Sequence, residues 1–224
     1  MIFDAVWRLR RRFTAAARAA PDGPLSAYYA RGLADFAAPD GPLTALDLET
    51  DGLNPGKDAI IEVGAVDMAL SGIDLSTAFR LRVRPRGALR GESVIVHRIT
   101  DDAVAAAQEE TSALATILPR LGGRILVAHF AQIEAAFLDA ACRRTFGAPF
   151  VAPFICTFQL ERRWFPKDRK TDAFRLGHLR SNYNLPLYAA HDGLIDAIAC
   201  GEVLLAQVAR RRAAGLKLAD LLRR

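Results

Sequence analysis

Alternation and helical spacing of apolar residues divide this chain into short strands followed by helices. The run Leu43-Thr44-Ala45-Leu46-Asp47-Leu48-Glu49-Thr50 reads as a strand, with Leu46 and Leu48 on one face and Asp47 and Glu49 on the other. Asn54-Pro55-Gly56 forms a turn, Ile60–Val66 a second strand, and Ser71-Gly72 another turn. Phe79-Arg80-Leu81-Arg82-Val83-Arg84-Pro85 alternates apolar and basic residues, as a third strand solvated on one face does. Three strands joined by tight turns make an antiparallel meander. A helix-like period then takes over: Leu114, Ile117, Leu118 and Leu121, stopped by Gly122-Gly123. Ile125–Ala128 predicts a buried strand, Ile133, Phe137, Ala140 and Ala141 a helix, and Phe154–Thr157 a last strand. Helices near Thr157–Phe165 and Arg175–Tyr183 follow, then a long one from about Asp192 to Arg212. A short helix after Val96-His97-Arg98-Ile99-Thr100 completes the set. The pattern is α/β, a mixed sheet flanked by helices.

Residues 1–42 precede the meander as a helical arm and linker. Trp7, Leu9, Phe13 and alanines among Arg8, Arg10, Arg11 and Arg12 suggest an amphipathic helix that packs Trp7 and Phe13 on the domain. A short helix runs through Leu25–Phe36, and Pro39-Asp40-Gly41-Pro42 leads into the domain at 43–210. Residues 211–224 read as a basic tail.

Composition narrows the classes. The 224 residues are 51% hydrophobic and 25% charged, ordinary for a soluble globular chain, with no apolar run of membrane-spanning length. Arg-rich as it is, the N-terminus lacks a secretory apolar core or a clear cleavage signal, so a cytoplasmic location is expected. Cys142, Cys156 and Cys200 have no zinc spacing and read as buried thiols. A net charge of +5 mildly favours a polyanionic partner.

Chemistry concentrates in acids. Asp47 and Glu49 stand side by side on one strand face, where like charges repel unless a cation lies between them; hard oxygen ligands suit Mg²⁺ or Mn²⁺. Taken alone, this is equally an acidic solvated strand face. Glu134 falls in the first turn of the helix after Ile125–Ala128, where complementing the helix dipole is its alternative role. Asp196 shares a helix stripe with Ala199, Cys200 and Val203, an expensive place for a carboxylate unless it is paired or bound to metal. His191 lies five residues before it, close enough to hang over the same site.

Asp47-Leu-Glu49-Thr-Asp-Gly-Leu, the segment His129…Glu134…Phe137-Leu138, and His191-x4-Asp196 resemble the three motifs of the DEDDh 3′–5′ exonuclease superfamily, most closely its epsilon-type proofreading enzymes. The likeness runs from about Leu43 to Val208, in order. It implies a ribonuclease-H-like fold, two Mg²⁺ or Mn²⁺ held by Asp47, Glu49, Glu134 and Asp196, and His191 as general base. It further implies nucleoside 5′-monophosphates released from single-stranded DNA 3′ ends, the terminal nucleotide held at Thr50 and wedged by Leu53. Departures mark a divergent branch: Glu134 replaces the usual aspartate, Phe130 replaces an asparagine and adds a possible stacking ring, Asp51 adds negative charge near the substrate, and Cys156 stands where many relatives have Asp. An RNA-trimming enzyme of ribonuclease T or oligoribonuclease type remains open, as does a decayed binding module recruiting a protein partner through the Arg-rich arm. An aspartyl-phosphate role for Asp47 would leave His191 and Asp196 unexplained.

Overall fold

Strand β1 (Leu43–Thr50) is buried on both faces because it is the middle strand of the sheet. In the computed structural model, which describes residues 2–85, 107–166, 171–189, 191–211 and 215–222, five strands run in the order β3-β2-β1-β4-β5. β2 (Ile60–Ala69) and β3 (Gly72–Arg82) pair antiparallel with their neighbours, while β4 (Ile125–Ala128) and β5 (Phe154–Cys156) add parallel to β1. This is the ribonuclease-H-like mixed sheet that the motifs imply. The helix expected after Val96–Thr100 falls outside the described residues.

Alternation along β1 sends its residues to two different cores. Leu46 and Leu48 pack with α3 (Glu110–Leu121) and α4 (Gln132–Phe146) through Leu114, Leu118, Phe137 and Leu138. Leu43 and Ala45 point the other way, towards Cys200 and Leu204 of α7 (Gly193–Arg211). Asp47 and Glu49 continue that second row past the end of the apolar core. Between β5 and α7 lie α5 (Thr157–Trp164), a 3₁₀ turn (Thr171–Phe174) and α6 (Leu176–Asn182).

The arm is packed more deeply than an appendage. Of α1 (Ile2–Ala19) and α2 (Pro24–Ala30), Phe13, Tyr28 and Tyr29 are buried in the main core. The Tyr28 hydroxyl donates to the Val151 carbonyl (3.0 Å), and the Tyr29 hydroxyl to that of Pro149 (2.7 Å). Trp7 departs from expectation: it is exposed, under the Arg11 guanidinium, because Phe13 and Ala16 take the inward face of the helix. The segment expected as a basic tail instead carries α8 (Leu218–Leu221), with Leu218 and Leu221 buried beside Phe36 and Leu43. Backbone bonds Leu218 N–H to Ala38 (3.0 Å) and Ala219 N–H to Phe36 (2.9 Å) hold it to the linker. Among the described residues, no helix is long and apolar enough to cross a membrane.

Candidate active site

The polar ends of β1 and α7 meet because β2 lacks a side chain where they cross. Asp47 is paired with Gly64 of β2, and the first turn of α7 lies directly over that glycine. A Cβ at Gly64 would stand 2.0 Å from the Gly193 carbonyl carbon, so any larger residue would push the helix away. The neighbouring Glu62, buried, accepts the Gly193 N–H (3.1 Å) and so satisfies one orphan donor of the helix start. Arg80 and Arg82 flank Glu62 at 3.5 and 3.3 Å, and Arg80 also pairs with Asp192. Arg84 pairs with Glu109. The three arginines are thus ion-paired, Arg80 directly to the turn that carries His191 through Asp192, and Arg82 to Glu62 beneath it.

Docked this way, α7 delivers Asp196 to the acids of β1. Asp47, Glu49 and Asp196 each bring a carboxylate oxygen within 4.8 Å of the others. Glu134 stands outside this tight trio, at the start of α4, close enough for its charge to act on Asp47. It is only 4% exposed, and its Oε2 has no hydrogen-bond partner. Complementing the helix dipole does not call for so deep a burial, and the burden of the buried carboxylate is what a bound cation would relieve.

Crowding and burial hold protons on these carboxylates. Burial, then the Glu49, Glu134 and Asp196 charges, pushes Asp47 well above the carboxylate range. Burial, with Asp196 and Glu62 nearby, raises Glu49 to about 7, and burial raises Glu134 to about 8. Asp196 is raised by burial and partly relieved by the backbone N–H of His191 (2.9 Å) and the imidazole charge. All-oxygen donors with partial burial and mutual repulsion fit a hard divalent cation such as Mg²⁺ or Mn²⁺. His191 itself is exposed, with a left-handed backbone (φ 67°), above Asp196.

The remaining predicted residues line the same end of the sheet. Thr50 ends β1, its hydroxyl donating to the Gly52 carbonyl (2.7 Å), and Leu53 projects into solvent at 84% exposure. Asp51 has a structural task as well: its carboxylate accepts the Ala59 N–H (2.6 Å) and ties down the loop. Phe130 (φ 63°) is part-buried and stacks on Phe158, ring centroids 4.1 Å apart. Cys142 and Cys200 are buried and Cys156 half-buried, all free thiols.

Some contributors were not picked out by sequence reasoning. Glu62 and Gly64 sat inside a noted strand, but only a polar side chain and a glycine amid an apolar run hinted at them. In the sequence His129 marks only the start of its motif, with no role: its Nδ1 lies 2.8 Å from the Thr157 hydroxyl, and burial lowers it to about 4, so its ring is a neutral structural element. No spacing rule signals that contact, which spans from β4 to α5.

Comparison with known proteins agrees with this geometry. The profile of the family described as Exonuclease (RNase T type) matches residues 44–204. The epsilon subunit of DNA polymerase III from Treponema pallidum is 29% identical over 166 residues, 74% of this chain and 76% of that one. The PolC-type DNA polymerase III of Oceanobacillus iheyensis is 32% identical over 164 residues, but there the match spans 11% of a much longer protein. The fold is shared with exonuclease X in complex with 5′-overhanging duplex DNA (TM-score 0.60, 24% identity, covering 81% of this chain and 99% of that one). It is shared too with the nuclease domain of 3′hExo, a DEDDh family member bound to rAMP (TM-score 0.65, 18% identity, 75% and 92%). This chain belongs to the Exonuclease family, within the DEDDh 3′–5′ exonuclease superfamily. By class it is a 3′–5′ exonuclease, an enzyme with an acidic cluster suited to the divalent metals on which that family depends.

Proposed function

We propose that this enzyme removes nucleoside 5′-monophosphates stepwise from the 3′ ends of single-stranded DNA. The observation that carries this reading is the convergence of Asp47, Glu49 and Asp196 within 4.8 Å, with buried Glu134 beside Asp47. These four carboxylates would hold two Mg²⁺ or Mn²⁺ ions. When bound, such ions neutralise the phosphodiester and ease both attack and departure of oxygen in an in-line displacement. The protein's own groups do the rest. His191, exposed above Asp196, takes the proton of the attacking water. Asp196, by accepting the His191 backbone N–H, couples the base to the acid cluster. The loop after β1 holds the terminal nucleotide through Thr50 and its backbone, with exposed Leu53 wedged against the base. Phe130 offers a ring to a base whatever its sequence.

Preference for DNA is supported by the epsilon subunit relative, which matches over most of both lengths. That relative belongs to a polymerase, and we assign the exposed side of α1, with Trp7, to a protein partner. The test is digestion of matched 5′-labelled DNA and RNA oligonucleotides with free or blocked 3′ ends. Expected are a ladder from free DNA ends that requires Mg²⁺ or Mn²⁺, faster than on RNA, and its loss in Asp47→Ala. Faster trimming of RNA would move the substrate to the ribonuclease T type. Full activity in excess EDTA or in Asp47→Ala would overturn the mechanism, and an inert wild type would mean a decayed module.

A further inference from the structure

Arg180 of α6 is the largest fully buried side chain among the described residues, at 2% exposure. A buried guanidinium is expensive, and an apolar residue of similar volume would fill the space at lower cost. Its hydrogen bonds show where the cation is used. Nε and one terminal nitrogen both donate to the Pro186 carbonyl, at 2.8 and 2.5 Å. The other terminal nitrogen donates to the Ala199 carbonyl (3.2 Å) and to Glu202 (2.6 Å), both on α7. The Tyr188 ring covers the guanidinium at 4.0 Å, and the Tyr188 hydroxyl donates to the second Glu202 oxygen (3.1 Å). One side chain thus joins α6, α7 and the segment of Pro186 and Tyr188.

That segment leads directly to His191: Pro186 and Tyr188 lie five and three residues before it. On the far side of His191, Asp192 and Gly193 are fixed by Arg80 and Glu62. His191 between them has a left-handed backbone, a conformation that a non-glycine residue keeps only where its surroundings impose it. We infer that Arg180, clasped by Glu202 and Tyr188, is a positioning residue that fixes the approach to His191 and holds the imidazole over the acid cluster. This rests on the proposed role of His191 as general base. The clasp touches no acid of the cluster. It acts on the path of the chain, and small displacements of a reacting group cost large factors in rate.

The test uses Tyr188→Leu, which removes the ring from a half-exposed position, and Arg180→Lys, which keeps the charge but loses the planar fork. Each is made in wild type and in His191→Ala, and single-turnover cleavage of a 5′-labelled oligonucleotide is followed at saturating Mn²⁺ beside thermal unfolding. In the wild-type background, Tyr188→Leu lowers the maximal rate about tenfold with KM and the unfolding midpoint unchanged, and Tyr188→Phe restores most of it. In His191→Ala the same substitutions cost nothing further, because there is no imidazole left to misplace. An unchanged rate in both variants, or an equal loss in the His191→Ala background, overturns the positioning role. His191→Ala as fast as wild type would remove the base assignment itself, and the clasp's role with it.

Discussion

Replacing Glu134 by Gln should stabilise the cation-free protein at alkaline pH. Glu134 is buried, one oxygen has no partner, and burial raises it from 4.5 to about 8. The sign follows from which state holds the proton longer. Between pH 4.5 and 8 the unfolded chain has released it and the folded chain has not, so stability falls as pH rises through that window. At 1.36 kcal/mol per pH unit the full loss is ~5 kcal/mol. An amide in the same place carries no charge but leaves a donor poorly matched, costing about 1–3 kcal/mol. Gln should therefore gain about 3 kcal/mol over wild type at pH 8.5 and be less stable than wild type by about 1 kcal/mol at pH 5, where little of that loss has yet accrued. Urea denaturation in EDTA at both pH values, read by the fluorescence of Trp7 and Trp164, measures the difference. Adding Mn²⁺ at pH 8.5 should restore the wild type more than the variant. A wild type equally stable at both pH values in EDTA, or a Gln variant no more stable at pH 8.5, would refute the argument that these acids are held together at a cost.

Gly64→Ala puts a Cβ 2.0 Å from the Gly193 backbone, so it should lower stability by about 1–3 kcal/mol and cleavage by more than tenfold as α7 lifts; thermal unfolding and rate together check this. Leu218→Ala, in the core far from the acids, should cost about 2–5 kcal/mol while leaving the rate of the folded enzyme unchanged. Phe130→Ala should weaken equilibrium binding of an oligonucleotide in EDTA roughly tenfold, the value of one stacked base, without altering Mn²⁺ affinity.

The sheet was legible because its strands carry strong local signals: alternation in β1, turns at Asn54-Pro55-Gly56 and Ser71-Gly72, and a short apolar run in β4. The long helix α7 was legible from its small and apolar stripe. Asp47, Glu49 and Asp196, which the structure brings together, stood out because a carboxylate in an otherwise apolar pattern demands a reason. Contacts made between distant elements were not legible. Leu218, Leu221 and Leu222 hold helical spacing for one turn, but so short an apolar stripe in a basic stretch does not say what it packs on, and the return onto Phe36 is made by contacts with the distant linker. Arg82 and Arg84 read as solvated and are partly so, but the partners they pair with, Glu62 and Glu109, lie 20 and 25 residues away and carry no sequence signal. The loop-closing role of Asp51 was not legible either, because its bond to the Ala59 N–H joins residues eight apart and exists only once the loop has closed.

The central claim is that acids from β1, α4 and α7 share divalent cations. Calorimetric titration with Mn²⁺ tests it most directly, on wild type, Asp47→Asn and Asp196→Asn at pH 8. Two bound ions are expected in the wild type, with the loss of at least one in each variant. No Mn²⁺ binding by the wild type, or binding indifferent to both substitutions, would contradict it.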